Sequence, residues 1–245
     1  MEKSRIAAWE LKDNIGILSI DNRPQNYLTE PDFLDLLKLK EWTADETLKG
    51  IIITGKGRHF SAGADYANLK QLSKDPGLLF SKMTRGKKIL NYLDDIEVPT
   101  IAAIRGACFG GGLEIALACH IRVCSQNALF AFPETNLNLL PGLGGTVRLP
   151  EKLPFSTALQ ILLSGGIVSA EKALEIRLAD HLVPSRQVYN FSLSLMKKMV
   201  DNRPIEVIRS VVRALNNSRR MSAREAMEEE TRMFCELAVK ILDNE

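Results

Sequence analysis

Two glutamates, Glu114 and Glu134, are the residues of this chain best placed to do chemistry. The run Gly112-Leu113-Glu114-Ile115-Ala116-Leu117-Ala118-Cys119 reads as a helix that is apolar on every side except at Glu114. A helix of that kind is buried, which places the carboxylate where water is scarce. Burial raises a carboxyl pKa and suits it to proton transfer. The competing reading is a buried salt bridge, with Arg105 or Arg122 as partner. Glu134 follows an apolar strand and Pro133, and precedes Thr135-Asn136. Alone it reads as a surface turn residue. At the end of a neighbouring α/β unit it can share a pocket with Glu114 and divide acid and base roles. Gly110-Gly111-Gly112, between a strand and this helix, lets backbone N–H groups approach a ligand at the positive end of the helix dipole. Such donors suit a developing oxyanion, and one of them contributes about 3 kcal/mol. Close backbone packing is the alternative reading of the triplet.

Other chemistries lack their residues. His59, His120 and His181 stand in no metal motif and are expected to be structural. No G-x-S-x-G elbow is present. Gly142-Leu143-Gly144-Gly145 fails the dinucleotide fingerprint because Val147 occupies the third glycine position, and Gly106 and Gly110 lack the Lys-Ser/Thr of a phosphate loop. A net charge of +2 gives no reason to expect nucleic acid or an anionic membrane as partner. Without a long apolar run or a signal segment, a cytoplasmic location is the default expectation. Cys108, Cys119, Cys124 and Cys235 are expected to be buried, reduced thiols.

The elements that must position the glutamates follow from local patterns. Strands are expected at Ile15 to Ile20, Gly50 to Thr54, Thr100 to Arg105, Ile121 to Cys124 and Leu129 to Phe132. Thr29 reads as an N-cap, with Pro31 and Asp32 in the first turn and a helix through Trp42. A Gly-rich loop, Gly55 to Asp65, precedes a long helical stretch to Asp95. From Phe155 onward the chain is expected to be mostly helical, with breaks at Gly165-Gly166, around Pro184 and at Pro204. The pattern is that of an α/β chain, which binds ligands at strand carboxyl ends.

Taken together, these residues resemble the crotonase superfamily, the enoyl-CoA hydratase/isomerase family. The resemblance is carried by Asn22-Arg23-Pro24, Phe60-Ser61-Ala62-Gly63-Ala64-Asp65, Gly106 through Glu114, Pro133-Glu134 and Pro141 through Thr146. It implies a spiral of repeated ββα units over residues 1–195 and a C-terminal helical region, 196–245, that builds homotrimers or dimers of trimers. It implies a thioester carbonyl held by the N–H groups of Ala64 and Gly111. The counterpart of Glu114 activates water at the β-carbon and that of Glu134 exchanges the proton at the α-carbon. Substrate contacts are implied at Ala62, Asp65, Phe132 and Gly142.

Both glutamates together favour hydration of a 2-enoyl thioester, or its reverse, over isomerisation, C–C cleavage, decarboxylation or a non-catalytic scaffold. No metal or redox cofactor is expected. The partner is a thioester of CoA or of an acyl carrier protein. The sequence departs from the family at Phe132, where hydratases carry a polar residue, and at Arg177, where the family carries glycine. Near Leu242 to Glu245, typical members continue with a further helix that covers the site.

Overall fold

The computed structural model describes residues 1–242. Its strands, in chain order, are β1 (Glu2–Ser4), β2 (Ala7–Lys12), β3 (Ile15–Ile20), β4 (Gly50–Gly55), β5 (Thr100–Ile104), β6 (Ala107–Phe109), β7 (Ile121–Ser125), β8 (Leu129–Ala131), β9 (Val168–Ser169) and β10 (His181–Val183). Seven of them form one sheet in the order β1-β2-β3-β4-β5-β7-β10, antiparallel through β3 and parallel beyond it. The remaining three make a small second sheet, β6-β8-β9.

The aliphatic run of each central strand reflects burial on both faces. Ile17 pairs with Ile52 and Ile52 with Ile101, while Ala103 lies beside Val123. This row packs against Val188, Met196 and Val200 of a C-terminal helix. The alternate residues, Leu18, Ile51, Ile53, Ala102 and Ile104, face the larger core, which also holds the helix carrying Glu114.

The helices are α1 (Leu36–Thr43), α2 (Tyr66–Leu72), α3 (Pro76–Asp95), α4 (Gly111–Leu117), α5 (Gly145–Lys152), α6 (Phe155–Ser164), α7 (Ala170–Glu175), α8 (Val188–Val200), α9 (Ile205–Ser218) and α10 (Ala223–Leu242). Residue 195, the expected edge of the core, lies inside α8, whose apolar face belongs to the sheet. The last three residues of the expected C-terminal region, 243–245, lie outside the described residues.

Several local expectations give way to longer-range contacts. Thr29 caps no helix. Helix α1 begins at Leu36, capped by Asp35, whose side chain accepts from the Leu37 N–H at 2.8 Å. The preceding segment runs through a series of bends, with Phe33 and Leu34 buried and the Asp32 carboxylate pinned by Arg5, Lys82 and Arg85. The stretch expected to run helical to Asp95 is two helices, since Asp75 and Pro76 start a new one. Gly111 and Gly112 belong to α4 rather than to a loop. The strand through Ala131 ends in a 3-10 helix, Pro133–Leu137, that carries Glu134. Cys235 is exposed, unlike the other three thiols. Arg177 adopts φ +64°, a left-handed conformation that explains why a glycine suits that position.

Ile101 shows no exposed surface and sits at the centre of the row beneath α8, so Ile101→Ala is expected to destabilise by about 2–5 kcal/mol. Leu37→Ala, on the exposed side of α1, is expected to change stability by less than about 0.5 kcal/mol. Urea midpoints of the two variants check the contrast.

Candidate active site

Strand ends and helix starts converge on a cleft of about 390 Å³. One wall is apolar, built from Leu69 and Leu72 of α2, Leu79 and Met83 of α3, and Leu139 and Leu140 from the loop after the 3-10 helix. Ala64, Gly111, Glu114 and Glu134 line the same cleft, so the two glutamates share one pocket.

Glu114 is 1% exposed on α4, and its Oε1 accepts two backbone hydrogen bonds, from Leu143 N–H at 2.6 Å and Gly145 N–H at 2.7 Å. The alternative of a salt bridge to Arg105 or Arg122 is not what the fold builds. Arg122 pairs with Asp180 and donates to the Leu178 and Cys119 carbonyls, while Arg105 lines a different cavity. Burial raises the Glu114 pKa to about 7, with the two amides pulling it down and the neighbouring Glu134 charge pushing it up.

Burial also raises the Glu134 pKa. Its Oε2 is buried without a hydrogen-bond partner, and its Oε1 lies so close to Gly110 that a Cβ there would collide with it. Gly110 has φ +48°, so conformation and space both call for glycine at that point.

The candidate oxyanion donors are stitched to each other. Phe109 N–H donates to the Ser61 carbonyl at 3.0 Å, and Ser61 N–H to the Ala107 carbonyl at 3.1 Å. These bonds fix the loop ending at Ala64 beside the start of α4. Among the described residues, neither Ala64 N–H nor Gly111 N–H has a protein acceptor, and both residues line the cleft. Two unspent donors beside two carboxylates make a place for a carbonyl oxygen that gains charge.

The other expected contacts divide. Asp65 and Gly142 line the cleft, and Asp65 also caps α2 through the N–H groups of Ala67 and Asn68. Phe132 and Ala62 do not line it. Phe132 is fully buried behind Gly145, where it supports the turn that holds Glu114, and Ala62 is drawn to the Gln25 carbonyl. Of the histidines, His59 Nδ1 accepts from Ala107 N–H and His120 Nδ1 from Thr100 N–H, both structural contacts. The sequence reading has no place for Leu143 and Gly145 as ligands of Glu114. The only local sign of them is the glycine-rich run 142–145 itself.

The profile of the enoyl-CoA hydratase/isomerase family matches residues 10–241. The chain belongs to that family. A Bacillus subtilis protein named a probable enoyl-CoA hydratase is 38% identical over 169 residues, 68% of this chain and 64% of the relative. The fatty acid oxidation complex subunit alpha of Shewanella frigidimarina is 38% identical over 194 residues, 76% of this chain and 27% of that protein. The chain thus matches just under two thirds of one relative's length and about a quarter of the other's. A solved enoyl-CoA hydratase structure from Thermoplasma volcanium aligns with a TM-score of 0.84 at 25% identity, covering 98% of this chain and 96% of that one. The fold is therefore the crotonase fold of the family. Among the described residues, no helix is long and apolar enough to cross a membrane.

In this crotonase-family site the buried carboxylate has a stability cost with a definite pH dependence. The folded-state pKa of Glu114 lies above its ordinary 4.5, so the folded protein holds the proton more tightly than the unfolded chain does. Stability is therefore lost as pH rises from about 4.5 to about 7. Glu114→Gln keeps an acceptor for the two amides and carries no charge. It is expected to be more stable than wild type at pH 8 by up to about 3 kcal/mol, with the difference shrinking toward pH 4.5. Denaturant midpoints at pH 5 and pH 8 measure it, and a pH-independent difference would contradict the assignment.

Proposed function

We propose that the chain hydrates a 2-enoyl thioester and catalyses the reverse dehydration, with CoA as the thioester handle and no metal or redox cofactor. The observation that carries this reading is the pairing of a buried carboxylate, Glu114, and a half-buried one, Glu134, with two unspent backbone donors in one apolar-walled cleft. The thioester oxygen sits between the N–H groups of Ala64 and Gly111. Ionised Glu114 takes a proton from water as its oxygen bonds to the β-carbon, and the electron pair moves to the thioester oxygen as an enolate. Protonated Glu134 then delivers its proton to the α-carbon. Net addition is one water, and proton exchange between the glutamates and solvent resets the pair. The leucine and methionine wall accommodates an apolar acyl chain. Helices α9 and α10 leave Val211, Leu215 and Phe234 exposed, apolar surface that supports assembly of the chain into trimers.

Crotonyl-CoA hydration, followed by loss of conjugated-thioester absorbance, tests the reaction. Glu114→Gln and Glu134→Gln are each expected to lower kcat by about 10²–10⁴-fold, the usual contribution of a general acid or base. Wild-type activity is expected to rise as pH is raised toward about 7, because Glu114 must be ionised to accept the water proton. Activity on an acyl-carrier-protein thioester with none on CoA esters would reassign the handle. An inert wild type on every enoyl thioester would reject the hydratase reading.

A further inference from the structure

Both amides that hold Glu114 come from one turn, residues 142–145, and a single buried guanidinium braces that turn from behind. Arg148 is 5% exposed, one turn into α5. Its Nη1 donates to the Leu143 carbonyl at 3.0 Å. That carbonyl belongs to the peptide lying between the two peptides whose N–H groups, on Leu143 and Gly145, reach Glu114. Its Nη2 donates to Asn91 Oδ1 at 2.7 Å, and its Nε lies 3.6 Å from Asp94 Oδ2. Asn91 and Asp94 both sit on α3, so the planar fork ties the turn to the helix that supplies Leu79 and Met83 to the cleft.

The turn itself requires such a brace. Gly144 is left-handed, with φ +108°, and a Cβ there would collide with Arg148 Nη1. Backbone freedom and the close approach of the guanidinium therefore meet at the same residue. A glycine-rich turn on its own samples many conformations, and aiming two N–H groups at one carboxylate oxygen requires that this freedom be removed. The Asp94 carboxylate is shared with Arg219 and Arg220, so the brace also reaches the end of α9.

We propose that Arg148 is a positioning residue for catalysis: through Leu143, Asn91 and Asp94 it locks the 142–145 turn so that the Leu143 and Gly145 amides hold Glu114 in its working orientation. The catalytic consequence rests on the hydratase reading above, whereas the geometric claim concerns Glu114 alone. Arg148 touches no substrate. It acts by keeping both amides on Glu114 Oε1 and by adding a positive charge nearby, and both influences favour ionised Glu114.

The test compares wild type with Arg148→Lys, which keeps the charge but loses the planar fork. It also includes Asn91→Ala, a change at an exposed position that removes one arm of the brace without threatening the fold. Two readouts are taken on each full-length chain. Infrared difference spectra follow protonation of the one carboxyl band that Glu114→Gln abolishes, which needs no substrate. Crotonyl-CoA kinetics follow kcat, KM and the acid limb of the pH profile. The expected result is that the Glu114 band titrates at higher pH in both variants and the acid limb moves up with it. For Arg148→Lys, kcat should fall about ten- to a hundred-fold, the scale of one lost charge-assisted hydrogen bond, with KM within about threefold. An unchanged Glu114 titration in folded variants overturns the proposal whatever happens to activity, and so does a shifted titration with unchanged kcat. Wild type inert on all enoyl thioesters rejects the hydratase reading only, and the infrared titration still decides whether Arg148 places Glu114.

Discussion

The structure depends on placing one carboxylate, Glu114, inside an apolar core without stranding it. Helix α4 is buried along its whole length, and an uncompensated charge there would cost several kcal/mol. Two amides from a turn about thirty residues further along the chain provide the compensation. Backbone N–H groups suit the task because they stabilise the anion without adding a formal positive charge that would lock it into an ion pair. Glu114 therefore remains a group that can gain and lose a proton. Other features follow from that contact. The turn must approach α4 closely, Gly144 must be left-handed, and Phe132 must stand behind Gly145 as the supporting wall.

A second constraint sets the donors that face the carboxylates. Ala64 and Gly111 are 47 positions apart in the chain, yet the Ser61–Ala107 and Phe109–Ser61 hydrogen bonds join their loops like two short strands. Asn26 secures the first of these loops from the other side. Fully buried, it donates through Nδ2 to the Lys56 and His59 carbonyls at 2.8 Å each, while its own carbonyl accepts from the Ser61 hydroxyl at 2.7 Å. The short motif around Asn22-Arg23-Pro24 thus has a mechanical role. It delivers Asn26 to the back of the loop that presents Ala64. Preorganised donors of this kind need no rearrangement as charge develops.

What the sequence made legible and what it hid divide along the range of the interactions. The buried strands and the burial of Glu114 are written in local composition: aliphatic runs of strand length, and an apolar helix with one acidic residue. The glycine triplet and Glu134 were likewise visible as candidates. The clamp on Glu114 was not, because backbone donors carry no side-chain signature and Leu143 looks like any core leucine. Thr29 and Pro31 showed a good capping pattern, yet the ion cluster around Asp32 and the burial of Phe33 and Leu34 outweighed it. The strands β6 and β9 have three and two residues, too short for a periodic pattern to mark them. Phe132 is a related case. Its position next to Pro133-Glu134 says where its backbone runs but not which side of the turn its ring faces.

The two glutamates are alike in type and unlike in surroundings, and that difference bears on the acid and base roles proposed for them. They face one cleft, so ionising both at once is disfavoured and the pair tends to share a proton. Glu114 has two amides and, across the turn, the charge of Arg148 to support its anionic form. Glu134 has a buried Oε2 with no partner, an environment that favours the neutral acid. Deeper burial and the neighbouring Glu134 charge nevertheless push Glu114 up to about 7, so the shared proton rests on Glu114 until pH approaches that value. The resting site then holds one acid and one base, and the proposed hydration requires the proton to pass to Glu134 before Glu114 can take one from water. In the dehydration direction the proton starts on Glu114, where burial makes the neutral form accessible near pH 7. A salt bridge from Arg148 directly to Glu114 would have removed that option by fixing the charge. Interposing a peptide turn between guanidinium and carboxylate retains the orientation and leaves the proton free to move.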